Sequence, residues 1–147
     1  MSFNIRILPW DQARVYAEPI RRKVFIQEQA VPEALEWDDM DDTATHALAF
    51  NDTGEAIGYA RLLATKQLGR MAVSSQYRRT GIGTALLQAL EAVANKLGYD
   101  HLYLHAQIQA LSFYEQLGYQ SQGEPFDEAG ILHLMMMKSL AEKHDRS

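Results

Sequence analysis

Apolar and polar positions alternate along "FNIRIL", Phe3 to Leu8, with the two-residue period of a half-buried strand. Pro9 and Trp10 end that run, and Asp11 is placed to cap a helical region reaching about Gln29. Pro19 falls inside it, which predicts a kink, or two helices with Pro19 in the first turn of the second. Ile20, Val24 and the Glu28 region then share one face. The segments "ATHALAFND" and "AIGYARLLAT" read as strands around "NDTGE", whose turn residues predict a hairpin. "LGRMAVS" is a fourth strand and "HLYLHA" a fifth. "YQSQGE" and "ILHLMMMK" are the last two, joined by "PFDEAG".

A helical period governs two other stretches. From Gly83 to Leu97, Ile82, Leu86, Leu90, Val93 and Leu97 fall on one face, with Gln88, Glu91 and Asn95 away from it. Gly98 is placed to end that helix. "QALSFYEQL" reads as a shorter helix closed by Gly118. Residues 30–43, "AVPEALEWDDMDDT", follow neither period and carry Glu33, Glu36, Asp38, Asp39, Asp41 and Asp42. They read as a solvated connection or as the rim of a site for something cationic. The segment from Ser139 is charged and reads as a frayed tail. The order β-α-(α)-β-β-β-α-β-α-β-β is that of an α/β domain with a mixed sheet. Residues 1–147 read as one domain, with no repeat or linker.

Composition narrows the chemistry. A net charge of -5 argues against a global pull toward nucleic acid. The absence of cysteine removes disulfides, thiol nucleophiles and cysteine-rich zinc sites, and no metal is expected. "MSFNIRILPWDQ" lacks the pattern of a secretion signal, and no apolar run approaches the roughly 20 residues that span a membrane. The expectation is a cytoplasmic protein without membrane or nucleic-acid partners.

The candidate chemistry lies in "RRTGIGTALL", Arg78 to Leu87, where a strand turns into a helix. Backbone N–H groups converge at such a junction and the helix dipole adds partial positive charge. Gly81 and Gly83 let a phosphate approach the backbone, and Arg78 and Arg79 can add charge-assisted hydrogen bonds. A dinucleotide fingerprint would need a third glycine where Leu86 stands, and no G-K-[ST] of a Walker A loop exists. The glycines can equally serve the turn and close helix–strand packing.

"RRTGIGTALL" resembles the R/Q-x-x-G-x-G/A signature of the GNAT superfamily of N-acetyltransferases, with Arg78, Gly81 and Gly83 at the marked positions. Downstream, "ALSFYEQLGY" resembles the family's A-x-x-F-Y-x-x-x-G-F/Y segment. The resemblance runs from about Ile5 to Lys138. "VFIQEQAVPEALEWDDMDDTATH" and "FDEAGILHLMM" look like the ElaA/YjcF-like branch. The resemblance implies the GNAT-type acyl-CoA N-acyltransferase fold, a central mixed sheet of six to seven strands flanked by helices.

It also implies acetyl-CoA as acyl donor. The pyrophosphate would sit on N–H groups of Arg79, Thr80, Gly81, Ile82, Gly83 and Thr84. The pantetheine arm would run beside "RMAV" as an added strand, pairing with Met71 and Val73 around Ala72, where the fourth and fifth strands splay apart. Ser112 belongs to the same set, and Gln107 takes a place where many members carry Asn. Tyr114 is the implied acid near the sulfur, and the Val73 N–H the oxyanion donor. Candidate bases are Glu28, His46, His105 and His133, or a water chain. The implied reaction is direct attack by a primary amine of a small molecule or peptide. A polyamine, an aminoglycoside and a lysine side chain all suit the acidic loop. Alternatives are a non-catalytic acyl-CoA-binding regulatory module and a nucleotide-binding protein of another kind. A homodimer through the terminal strand edges is open.

Overall fold

The computed structural model describes residues 2–140. Seven strands form one sheet: β1 (Phe3–Leu8), β2 (Thr45–Asn51), β3 (Ala56–Leu62), β4 (Gln67–Val73), β5 (His101–Gln107), β6 (Gln120–Glu128) and β7 (Ile131–Ser139). Their order is β1-β2-β3-β4-β5-β7-β6. Neighbours are antiparallel except β4 and β5, which run parallel. Helices cover both faces: α1 (Trp10–Arg21), α2 (Glu33–Glu36), α3 (Ile82–Lys96) and α4 (Leu111–Gln116). The α3 side buries Ile82, Leu86, Leu90 and Leu102. The α1 side buries Ala13, Ala17, Leu48 and Tyr59. Among the described residues no helix is long and apolar enough to cross a membrane.

The expected strands and the "NDTGE" hairpin are all present, but several local expectations need correction. The helix is not restarted at Pro19: α1 continues through it to Arg21, and the winding changes at Arg22, where a π-helix, Arg22–Glu28, takes over. Such wider turns are tolerated where packing favours them, often at functional sites; here Val24 and Phe25 are buried.

β6 does not stop before "PFDEAG" but continues to Glu128. Only Ala129 and Gly130 form the turn, both at positive φ (55° and 79°), the geometry of a tight type I′ hairpin. Pro125 is accommodated because β6 is an edge strand with a bulge between Gln122 and Phe126. Nor does the chain fray from Ser139: that residue ends β7, and Leu140 is fully buried. The remainder of the expected tail lies outside the described residues.

On α3 the faces differ in two places. Leu97 lies past the helix and is 56% exposed. Glu91 is buried, accepting a hydrogen bond from Tyr119 Oη (2.7 Å) and pairing with Lys138 Nζ (3.2 Å).

Three carboxylates of the acidic segment, Glu36, Asp38 and Asp41, are held in ion pairs rather than left free in solvent. Arg21, fully buried, donates from Nε to Glu36 (2.7 Å) and from Nη1 to Asp41 (3.0 Å). Arg61 donates to Asp41 (2.8 Å) and Asp38 (2.7 Å), and Arg70 pairs with Glu36 and Asp38. Charges survive burial only when so paired. This lattice straps the segment to β3 and β4; Asp39 and Asp42 remain exposed.

Candidate active site

β4 and β5 pair only at Gln67↔Tyr103 and Leu68↔Leu104. Beyond that point they separate, and the cause lies in β4. Tyr59 faces Ala72 and Arg61 faces Gly69, so two steps along β3 span three along β4. The extra residue is a β-bulge, with Arg70 at φ 52°. Past the bulge, Ser74 N donates to Ile57 O at 2.9 Å, which makes Gly58↔Val73 a non-hydrogen-bonded pair. The N–H and C=O of Val73 therefore face away from β3 and into the gap.

A cavity of about 960 Å³ occupies that gap. Met71, Ala72, Val73, Arg78, Arg79, Gly81, Ile82, Gly83, Thr84, His105, Gln107, Tyr114 and His133 line it, so most of the residues singled out from the sequence meet around one space. Glu28, His46, Thr80 and Ser112 do not. Thr80 is exposed and turns its hydroxyl to the Tyr77 carbonyl (2.5 Å), and Ser112 is exposed on α4. His46 is buried in the sheet between Tyr59 Oη (2.6 Å) and Asp41 O (2.8 Å), and desolvation holds its pKa below the usual histidine value. Glu28 closes the π-helix and pairs with Arg78 (3.0 Å).

The glycine turn does two separate things. Gly81 sits at φ 89° before the first residue of α3, a left-handed conformation that glycine adopts without strain. Among the described residues no side chain caps α3, which leaves its first N–H groups available, as an anion site requires. Gly83 supplies room: a Cβ there would lie 3.3 Å from the Phe113 ring. Close packing and a helix start left open by side chains thus coexist in one motif. Arg78 has partners within the chain. Its Nε donates to Val73 O at 2.9 Å and its Nη2 to Glu28.

Tyr114 stands edge-on to Phe113 and Tyr119, with ring centroids 5.0 and 6.1 Å away. Its hydroxyl makes no hydrogen bond among the described residues, and burial pushes its pKa up to about 12. It is a phenol, not a phenolate, at neutral pH. On the α1 side of the sheet, Gln107 Nε2 donates to Gln29 Oε1 (3.0 Å), linking β5 to the end of the π-helix. His133 holds Ile131 O through Nδ1 (2.7 Å) and stacks on Phe126. His105 holds Glu128 through Nδ1 (2.8 Å).

Gln29, Arg70, Phe113 and Glu128 also line the cavity and escaped the sequence reading. Arg70 was hidden by the bulge. Glu128 comes near His105 in a register where β6 takes four steps, Gln122 to Phe126, against two on β7, which "PFDEAG" gives no reason to expect. Phe113 had been assigned to the core, and it does pack there while also facing the cavity.

A family model described as "Acetyltransferase (GNAT) domain" matches residues 11–140. The protein YyaT of Bacillus subtilis is 37% identical over 143 residues, covering 94% of this chain and 97% of its own. The N-acetyltransferase YjcF of the same organism is 35% identical, covering 81% of this chain and 87% of its own. The crystal structure of Escherichia coli ElaA superposes with a TM-score of 0.82 at 25% identity, covering 92% of this chain and 99% of that one. Open strand edge, uncapped helix and matching relatives agree: the chain belongs to the GNAT acetyltransferases, within the branch that includes YjcF and ElaA, and is an N-acetyltransferase.

Proposed function

We propose that the chain transfers an acetyl group from acetyl-CoA to a primary amine of a small molecule or peptide, by direct attack in a ternary complex. One observation carries this reading: the N–H of Val73 faces a gap in the sheet that opens onto the uncapped start of α3. An open edge inside a sheet suits a ligand that completes it by strand addition. The α3 terminus suits the pyrophosphate.

Each step has a group on the chain. The Val73 N–H stabilises the carbonyl oxygen as negative charge grows there. Tyr114 donates a hydrogen bond to the departing sulfur. With its phenol near 12 and a thiol near about 8.5, that bond stops short of full proton transfer. The acceptor approaches from the side of α1 and the π-helix, where His105 and His133 offer imidazoles that can carry a proton. Glu28 is committed to Arg78 and stands outside the cavity.

The test is a thermal-shift titration with acetyl-CoA, CoA, ATP and NAD, followed by an amine screen for thiol release. At a hundred times its dissociation constant, a ligand specific to the folded state stabilises by about 2.7 kcal/mol. Shifts with both CoA species and not with NAD are expected. Tight acetyl-CoA binding with no turnover of any amine would favour a non-catalytic acyl-CoA-binding module instead.

A further inference from the structure

We infer that Glu128 is a positioning residue that fixes the tautomer of His105, and that His105 Nε2 takes the proton of the acceptor amine. The inference rests on the acetyltransferase reading and deepens it.

Three observations converge. His105 is the first residue of β5 beyond the last pair with β4, Leu68↔Leu104, so it stands where the gap opens. Its neighbours Leu104 and Ala106 point into the α3-side core, so His105 faces the opposite side, where the π-helix and α2 form the other wall. Its Nδ1 lies 2.8 Å from Glu128 Oε1, across β7 on the edge strand. A carboxylate accepts only, so Nδ1 carries the hydrogen and Nε2 keeps its lone pair. Nε2 makes no hydrogen bond among the described residues, and the ring is steadied edge-on by Phe126 at 5.1 Å.

His133 shares that face but lacks such a partner: its Nδ1 is held by the backbone carbonyl of Ile131. A carbonyl fixes the ring yet brings no charge. At His105 the imidazolium formed on proton uptake lies against a carboxylate, the arrangement of a base oriented by a third group. His105 and Glu128 are partly exposed, as proton exchange with solvent requires.

The step balances. The ammonium gives one proton to Nε2, from which it passes to solvent. The freed electron pair forms the C–N bond while the C–S bond breaks with its pair on sulfur. The second N–H proton ends on sulfur. One amide, one thiol and one released proton result.

The experiment compares wild type, Glu128→Gln, Glu128→Ala and His105→Gln in two ways. Long-range ¹H–¹⁵N spectra read the imidazole tautomer, with His105→Gln identifying the signal. Thiol release from acetyl-CoA is followed with the most active alkylamine of the screen and with methoxyamine, which is neutral at pH 7 and needs no base. Glu128→Gln still accepts from Nδ1, so the tautomer persists, but it removes the charge beside the imidazolium, and kcat falls about threefold. Glu128→Ala moves the hydrogen to Nε2 and lowers kcat for the alkylamine at least about tenfold, and His105→Gln about a hundredfold, within the span of general-base effects. The KM for acetyl-CoA is unchanged, and methoxyamine is acetylated at nearly wild-type rate by every variant. Wild-type kcat in Glu128→Ala, or equal losses with both amines, overturns the inference and leaves the acetyltransferase reading standing. Acetyl-CoA binding without turnover of any amine overturns both.

Discussion

Arg78 Nε donates to the carbonyl oxygen of Val73 at 2.9 Å, and the same guanidinium grips Glu28 at the end of the π-helix. The arginine of the signature thus braces the strand whose open edge faces the cavity. The ion pair is half exposed and contributes little to stability, at most about 1 kcal/mol. Its effect belongs to ligand binding. Arg78→Ala is expected to weaken acetyl-CoA about tenfold, or about 1.4 kcal/mol, by calorimetric titration. Arg78→Lys restores only part of this, because an ammonium lacks the fork that reaches both partners. An unchanged dissociation constant in Arg78→Ala would remove the brace from the binding account.

Tyr114→Phe deletes a hydroxyl that has no partner among the described residues, so folding and acetyl-CoA affinity should hold. The rate should not: loss of the hydrogen bond to the departing sulfur lowers kcat by about tenfold. Single-turnover measurements isolate the chemical step. A wild-type rate there would leave Tyr114 as a wall of the cavity and nothing more.

Asp41 accepts from both Arg21 and Arg61 inside the protein. Asp41→Ala removes one of the two carboxylates that each of Arg21 and Arg61 faces inside the protein and should cost about 3 kcal/mol, read by urea unfolding. Asp39→Ala, on the same segment but exposed, should stay within about 0.5 kcal/mol. Equal effects from the two would mean that the buried lattice does not hold the segment.

Asp38 yields a pH dependence. The Arg61 guanidinium holds its carboxyl down to about 2, below the ordinary 3.8. A depressed carboxylate contributes stability above its unfolded pKa and loses it as pH falls through the folded one. Wild type should therefore lose stability relative to Asp38→Asn as pH drops from about 4 to about 2. Since Asp38 sits at the rim, solvent screening reduces the difference to about 1 kcal/mol. Parallel unfolding curves across that window would contradict the assignment.

Where structure followed the sequence and where it did not has a consistent cause. Strand alternation, the "NDTGE" hairpin and the α3 stripe are local patterns, and all were legible. So was the glycine turn, because its backbone demands are met within a few residues. Glu91 was read as outward because its partners, Tyr119 and Lys138, arrive from 28 and 47 positions away. The acidic segment looked solvated for the same reason: Arg21 and Arg61 reach Asp41 from 20 positions to either side. At the site, Tyr114 and residues 71–73 were accessible through the family resemblance. Glu128 was not, since its approach to His105 depends on a bulge and a two-residue turn that no periodicity announces.

The thin seam between β4 and β5 has a mechanical consequence. Within the sheet, a four-stranded leaf and a three-stranded one pair at two rungs, Gln67↔Tyr103 and Leu68↔Leu104. The covers of that book are hinged at one end of its spine, and whatever slides between the pages becomes the missing binding. If the acyl donor fills that seam, amide hydrogens along the free margins of both leaves should exchange slowly only while it is held.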